Sequence, residues 1–159
     1  MSYLIGVDVT AVATGSPDHA EGSVYTDSGG LKYKYVKVLN ESATVVGAAG
    51  DVVGYLDAPT ATENNTVVTD NTDAATKPVG AGVLMATIAG ATGTAEWVWV
   101  QVQGAFTANN NLAGTPADGD ALFLSTTDKT LTLATAADDP VCAYAIDDSA
   151  DKCMAAFAH

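Results

Sequence analysis

The stretch Glu96-Trp-Val-Trp-Val-Gln-Val-Gln-Gly104 alternates without interruption. In an extended strand successive side chains point to opposite faces, so Val98, Val100 and Val102 share one side. Trp97, Trp99, Gln101 and Gln103 share the other. Both tryptophans of the chain fall within this strand. Upstream, Val83-Leu-Met-Ala-Thr-Ile88 reads as a short buried strand, and Gly90-Ala-Thr-Gly-Thr94 as the turn between the two. The hairpin predicted over 83–103 is the expected centre of a sheet.

Working outward, the same rhythm of short strands and turn residues continues in both directions. Leu31-Lys-Tyr-Lys-Tyr-Val-Lys-Val-Leu39 alternates after the Gly-rich turn Tyr25–Gly30. Three of the six lysines lie within it, which reads as an exposed strand guarded against edge-to-edge pairing. Gly50-Asp51 feeds Val52 and Val53 into a strand. The device returns at Gly119-Asp120, before Leu122-Phe-Leu124, although the flanking residues do not align. A hairpin over 122–133 turns at Thr127-Asp-Lys129. Residues 59–78 read as a long loop with at most one short strand. Val141–Ile146 and Lys152–Ala158 form a closing pair.

Helix signals are weak throughout, so the fold class expected is all-β. It is read as one antiparallel sandwich or barrel of about eight to ten strands, with long loops, in keeping with the usual turn spacing of such folds. Residues 1–22 are expected to form an N-terminal arm or edge segment, and 23–159 the β-rich domain. At 159 residues the chain is long enough to bury a core without staples.

Composition narrows the partners. Nineteen acids face six lysines, no arginine occurs, and the net charge is −13. Phosphate binding needs clustered cations, so neither nucleic acid nor an anionic membrane surface is expected as a partner. The chain has no apolar window long enough for a membrane-spanning helix. Its start, Met1-Ser-Tyr-Leu-Ile-Gly, lacks the basic region and apolar core of a secretory signal, so cytoplasmic synthesis is expected.

Catalytic chemistry finds little to work with. The histidines, His19 in a loop and His159 at the end, adjoin no nucleophile motif. The two cysteines and two histidines are too scattered for a zinc site. Asp138, Asp139, Asp147, Asp148 and Asp151 crowd together, but without a calcium-loop pattern, and read as solvated turn residues. No enzyme, metal or cofactor is therefore expected. A two-residue turn at Asp147–Asp148 would set Cys142 opposite Cys153, so a disulfide between them is geometrically open, while a reducing compartment opposes it.

The order of these features resembles the head-decoration (cement) proteins of tailed bacteriophages. The motifs that carry the resemblance are Gly29-Gly-Leu-Lys-Tyr-Lys-Tyr-Val-Lys37, Ala49-Gly-Asp-Val-Val53, Glu96–Gly104, Asp118-Gly-Asp-Ala-Leu122 and the C-terminal apolar pair. The resemblance spans most of 22–158, and each motif is a strand-and-turn pattern. It implies a β-tulip-like fold, a homotrimer, and a structural virion role. That role is binding the major capsid protein on the capsid exterior, after assembly in the host cytoplasm, to stabilise the shell against DNA pressure. Tyr3, Leu4, Ile5 and Val7 of the arm are the expected capsid contacts. Trp97, Trp99 and Gln101 are expected in the core or at a subunit interface. The alternative is a sugar- or receptor-binding module of a fibre or spike, with the tryptophans exposed to stack on sugar rings.

Overall fold

The computed structural model describes residues 6–38, 47–55, 66–69, 79–88, 94–108, 112–127, 129–147 and 150–157. Tyr3, Leu4, Ile5 and His159 lie outside them. The strands, in chain order, are β1 (Ala13–Thr14), β2 (Val24–Thr26), β3 (Lys32–Val38), β4 (Val52–Tyr55), β5 (Val67–Thr69) and β6 (Gly80–Leu84). They continue as β7 (Glu96–Thr107), β8 (Leu112–Ala113), β9 (Ala121–Leu124), β10 (Leu131–Leu133), β11 (Val141–Asp147) and β12 (Lys152–Ala156).

The fold is all-β. All twelve strands join one sheet, in the order β2-β3-β5-β4-β6-β7-β12-β11-β9-β10-β8, with β1 on β7. It is mixed and not wholly antiparallel, because β3 runs parallel to β5 and β10 parallel to β8. As a whole the sheet does not close into a barrel and is consistent with a sandwich. Locally β3 pairs with both β5 and β7, so β3, β5, β4, β6 and β7 pair in a ring.

β7 is the hub, as its alternation predicts. It pairs with β1, β3, β6 and β12. Its valine side joins Val36, Val38, Val53, Val68 and Leu84 in the larger core. The tryptophan side joins Ala13, Tyr33 and Tyr35 in a second, aromatic core. A strand covered on both faces stays buried throughout its first seven residues, Glu96–Val102.

That covering corrects the reading of β3. It is no exposed edge: it lies along β7 from Lys32↔Gln103 to Val38↔Glu96, and Lys34 is 3% exposed. Lysine spacing that guards an edge also serves a strand whose long aliphatic stems pass through a core.

Two units of five strands repeat one topology. β3-β5-β4-β6-β7 and β8-β10-β9-β11-β12 have the same order and the same single parallel pair, and they meet at the β7:β12 ladder. The Gly-Asp turns fit this repeat closely. Asp51 Oδ2 accepts from Ala48 N at 2.8 Å, and Asp120 Oδ2 from Ala117 N at 2.8 Å. Gly50 N and Gly119 N donate to Leu84 O and Ala145 O, and those residues donate back to Asp51 O and Asp120 O. Both glycines have positive φ, 94° and 89°, which a side chain would oppose. Register bulges fall at matching places, between Gly80 and Gly82 of β6 and between Val141 and Ala143 of β11. The ladders make Val52, Val83 and Gln101 the counterparts of Ala121, Tyr144 and Met154. What reads in sequence as an isolated echo is one turn of a duplicated architecture. The units differ in closure: among the described residues β8 does not pair with β12, whereas β3 pairs with β7.

The units also pack face to face. A Cβ on Gly80 of β6 would lie 2.8 Å from Cys142 Sγ and 2.9 Å from the Phe157 ring. Only glycine lets the strand approach the second unit so closely.

Candidate functional site

The tryptophan face is closed, and the N-terminal segment closes it. β1 pairs with the start of β7 through Ala13↔Trp97. From there residues 15–22 cross the aromatic core as a loop. The His19 ring stands 5.2 Å from that of Tyr35 and 5.3 Å from that of Trp99, centre to centre. Tyr35 and Trp99 are 5.1 Å apart, and Tyr25 reaches Trp99 at 6.3 Å. Such tilted and edge-on pairs suit the ring quadrupoles. Trp97 Nε1 donates to Glu21 Oε1 at 2.7 Å, so an exposed loop acid supplies the partner a buried indole needs.

Trp97 and Trp99 are 7% and 1% exposed. They belong to the core. A sugar has no stacking surface here, and of the two placements expected for Trp97, Trp99 and Gln101, core or subunit interface, their burial within the chain fits the core. Gln101 Nε2 donates to the Gln103 and Ala105 carbonyls at 3.3 and 3.0 Å. Its amide thereby satisfies backbone carbonyls on either side of Gly104, whose φ is 103°.

Val7, expected as a capsid contact, is half-buried against the aromatic core together with Val9. An apolar side chain beside an aromatic surface of its own chain packs there first. The arm, over its described part, is a strap across the molecule.

The cysteines also depart from expectation. Cys153 stands opposite Ala145, not Cys142, because the connection between β11 and β12 is longer than two residues and a bulge follows Ala145. Both thiols are free and buried. Burial pushes Cys142 up to about 12, with a contribution from neighbouring Cys153. Burial pushes Cys153 up to about 11, with Asp151 adding to it. Buried thiols of this kind are inert.

Lys34 lies on the valine face. Its Nζ donates to Tyr55 Oη at 3.1 Å and sits 5.2 Å from the centre of that ring. Burial lowers the Lys34 pKa and pushes Tyr55 up to about 12. Alternation alone placed Lys34 on this face; nothing in the sequence named its tyrosine partner.

Among the described residues no three His, Cys, Asp or Glu side chains gather to hold a metal. Asp139 of the acidic stretch accepts from Thr135 N and Ala136 N at 2.9 and 2.8 Å, which makes it a turn builder. An open groove of about 190 Å³ is lined by Val83, Met85, Gln101, Phe106 and Thr107. Ordinary ligand pockets span about 300–1,000 Å³, so it is small for one. No described helix is long and apolar enough to cross a membrane.

Among the described residues, the surfaces left to act are the acidic loops and one apolar sheet face. That face is the outer side of β9, β11 and β12, where Val141, Tyr144, Ile146 and Met154 stand exposed. Sequence reasoning missed it as a site, although the alternation of Val141–Ile146 contains it. Comparison of the chain with known protein families, with curated proteins and with solved structures finds no match.

Proposed function

We propose that this chain is a structural virion protein that binds the outside of a phage capsid between major-capsid subunits and stiffens the shell against internal DNA pressure. Its resemblance to head-decoration proteins supports the reading. The observation that carries it furthest is the pairing of the two motif strands. Tyr33-Lys-Tyr-Val-Lys37 and Trp97-Val-Trp-Val-Gln101 lie side by side in the β3:β7 ladder. The two motifs thus lie on neighbouring strands of one sheet, which supports the reading.

Physically, such a protein acts as a clamp. Each copy adds binding free energy that must be lost before capsid subunits part, and many weak copies add up through multivalency. The partners are the major capsid protein and further copies of this chain, in the trimer that the resemblance implies. The site of action is the capsid exterior. No catalytic group or cofactor enters this role. The sugar-binding reading is not favoured, because both tryptophans are buried.

Cosedimentation with phage heads assembled without the protein tests the proposal. Saturable binding, at a fixed number of copies per head, is expected. Failure to sediment with the heads at any protein concentration would overturn it.

A further inference from the structure

Among the described residues, the outer face of the second unit is apolar, nearly free of charge and uncovered. One row crosses four strands: Ala105 of β7 stands beside Met154, Met154 beside Tyr144, and Tyr144 beside Ala121. In the next row Val141 stands beside Phe123. Residues directly opposite in an antiparallel pair project from the same side, so both rows form one surface. Tyr144, Met154, Ile146 and Val141 keep 44%, 43%, 41% and 39% of their surface exposed. They are four of the six large apolar side chains left exposed among the described residues. Neither row contains an acid, and the nearby charge of Lys152 stands opposite Asp147.

We propose that this face docks a second copy of this chain. The repeat within the molecule is the first argument. Tyr144, Met154 and Ala121 have the counterparts Val83, Gln101 and Val52 in the first unit, which are 2%, 4% and 0% exposed. Gly80, the counterpart of Val141, packs against Cys142 and Phe157 of the second unit. In the first unit this type of face is covered, and part of the cover comes from the chain's own second unit. Among the described residues, only in the second unit does it lack one.

Charge is the second argument. Copies carrying −13 each repel one another unless they meet through a surface without acids. A basic partner would instead be drawn to the acidic loops. Size is the third. Four strands spaced at about 4.8 Å and about five residues long present roughly 300 Å². A standard interface buries about 800 Å² per partner, so the face supplies an apolar core that needs a polar rim. Association is therefore reversible and depends on concentration.

This inference assigns a face to the self-association that the proposed function includes, but it is argued from the face alone, and its test needs no phage heads, so its failure is distinguishable from failure to bind a capsid. Sedimentation velocity of the full-length chain is run from micromolar to near-millimolar concentration at low and high salt. The wild type is expected to form a discrete multiple of the chain, more strongly at high salt because salt screens the repulsion. The double variant Tyr144→Ser, Met154→Ser should weaken association at least about tenfold. Ala105→Glu should do the same while keeping every large apolar side chain, so it reports even where the double variant fails to fold. Val24→Ser removes an exposed apolar residue elsewhere and should change nothing. A wild type that stays monomeric throughout would overturn the proposal. So would wild-type association by a folded Ala105→Glu protein, or equal weakening by Val24→Ser.

Discussion

Trp97 hands its indole N–H to Glu21, 76 residues earlier in the chain, and Tyr33 donates its hydroxyl to Asp27 Oδ2 at 3.1 Å. Alternation shows which way each ring points, but not which distant loop meets it. The same holds for Lys34, whose face is legible while its partner Tyr55 is not. These burials have a consequence at high pH. Burial, followed by the contact with Asp27, pushes Tyr33 up to about 12. Tyr35 is raised by burial as well, and Tyr55, Cys142 and Cys153 are raised to about 12, 12 and 11. In the unfolded chain phenols and thiols lose their protons at their ordinary values, near 10.0 and 9.0. The folded state then holds more protons than the unfolded state between about pH 9 and 12, so stability falls as pH rises through that window. Lys34, lowered by burial, works in the opposite direction but is one group against five. Thermal unfolding should give a Tm that is flat from pH 7 to 9 and drops steeply by pH 11. A flat Tm to pH 11 would contradict the burial of these groups.

The hairpins β9:β10 and β11:β12 were legible because a short connection joins each pair, and turn residues announce themselves; of the strand expected over 83–88, only Val83 and Leu84 pair with β7. The parallel pairs β3:β5 and β8:β10 were not legible, since parallel neighbours share no turn and their contact is made through the rest of the sheet. Register was legible only where the connection length was. In β11:β12 the longer connection and the bulge after Ala145 moved Cys153 away from Cys142. Bulges are fitted to their surroundings, and Gly82 of β6 shows how closely. Its φ is 155°, and an added Cβ would lie 2.8 Å from Val100 Cβ and 2.9 Å from the Gln101 carbonyl oxygen. A side chain there must push β6 off the hub strand. Gly82→Ala should cost about 2 kcal/mol, measured as a lowered denaturant midpoint with an unchanged slope. A midpoint equal to that of the wild type would contradict the close approach of β6 to β7.

At the scale of the molecule, the duplication was hidden because counterpart positions share ladders and not residue types. Val83 answers to Tyr144, and Gln101 to Met154. One member of each pair is buried and the other exposed, so selection for packing acts on them differently. The acidic composition was legible, and the resemblance in the order of motifs is what the proposed reading rests on. The fold adds a doubly built sheet whose tryptophan face is sealed and whose apolar face on the second unit looks outward. Under the proposed function the protein must do more than bind: its binding energy must oppose rupture of the shell. The most direct measurement is heat release of DNA from packed heads lacking the protein, before and after saturation with it. Saturated heads are expected to retain their DNA to a higher temperature than bare heads. Heads that bind the protein to saturation and still release DNA at the bare-head temperature would contradict the account.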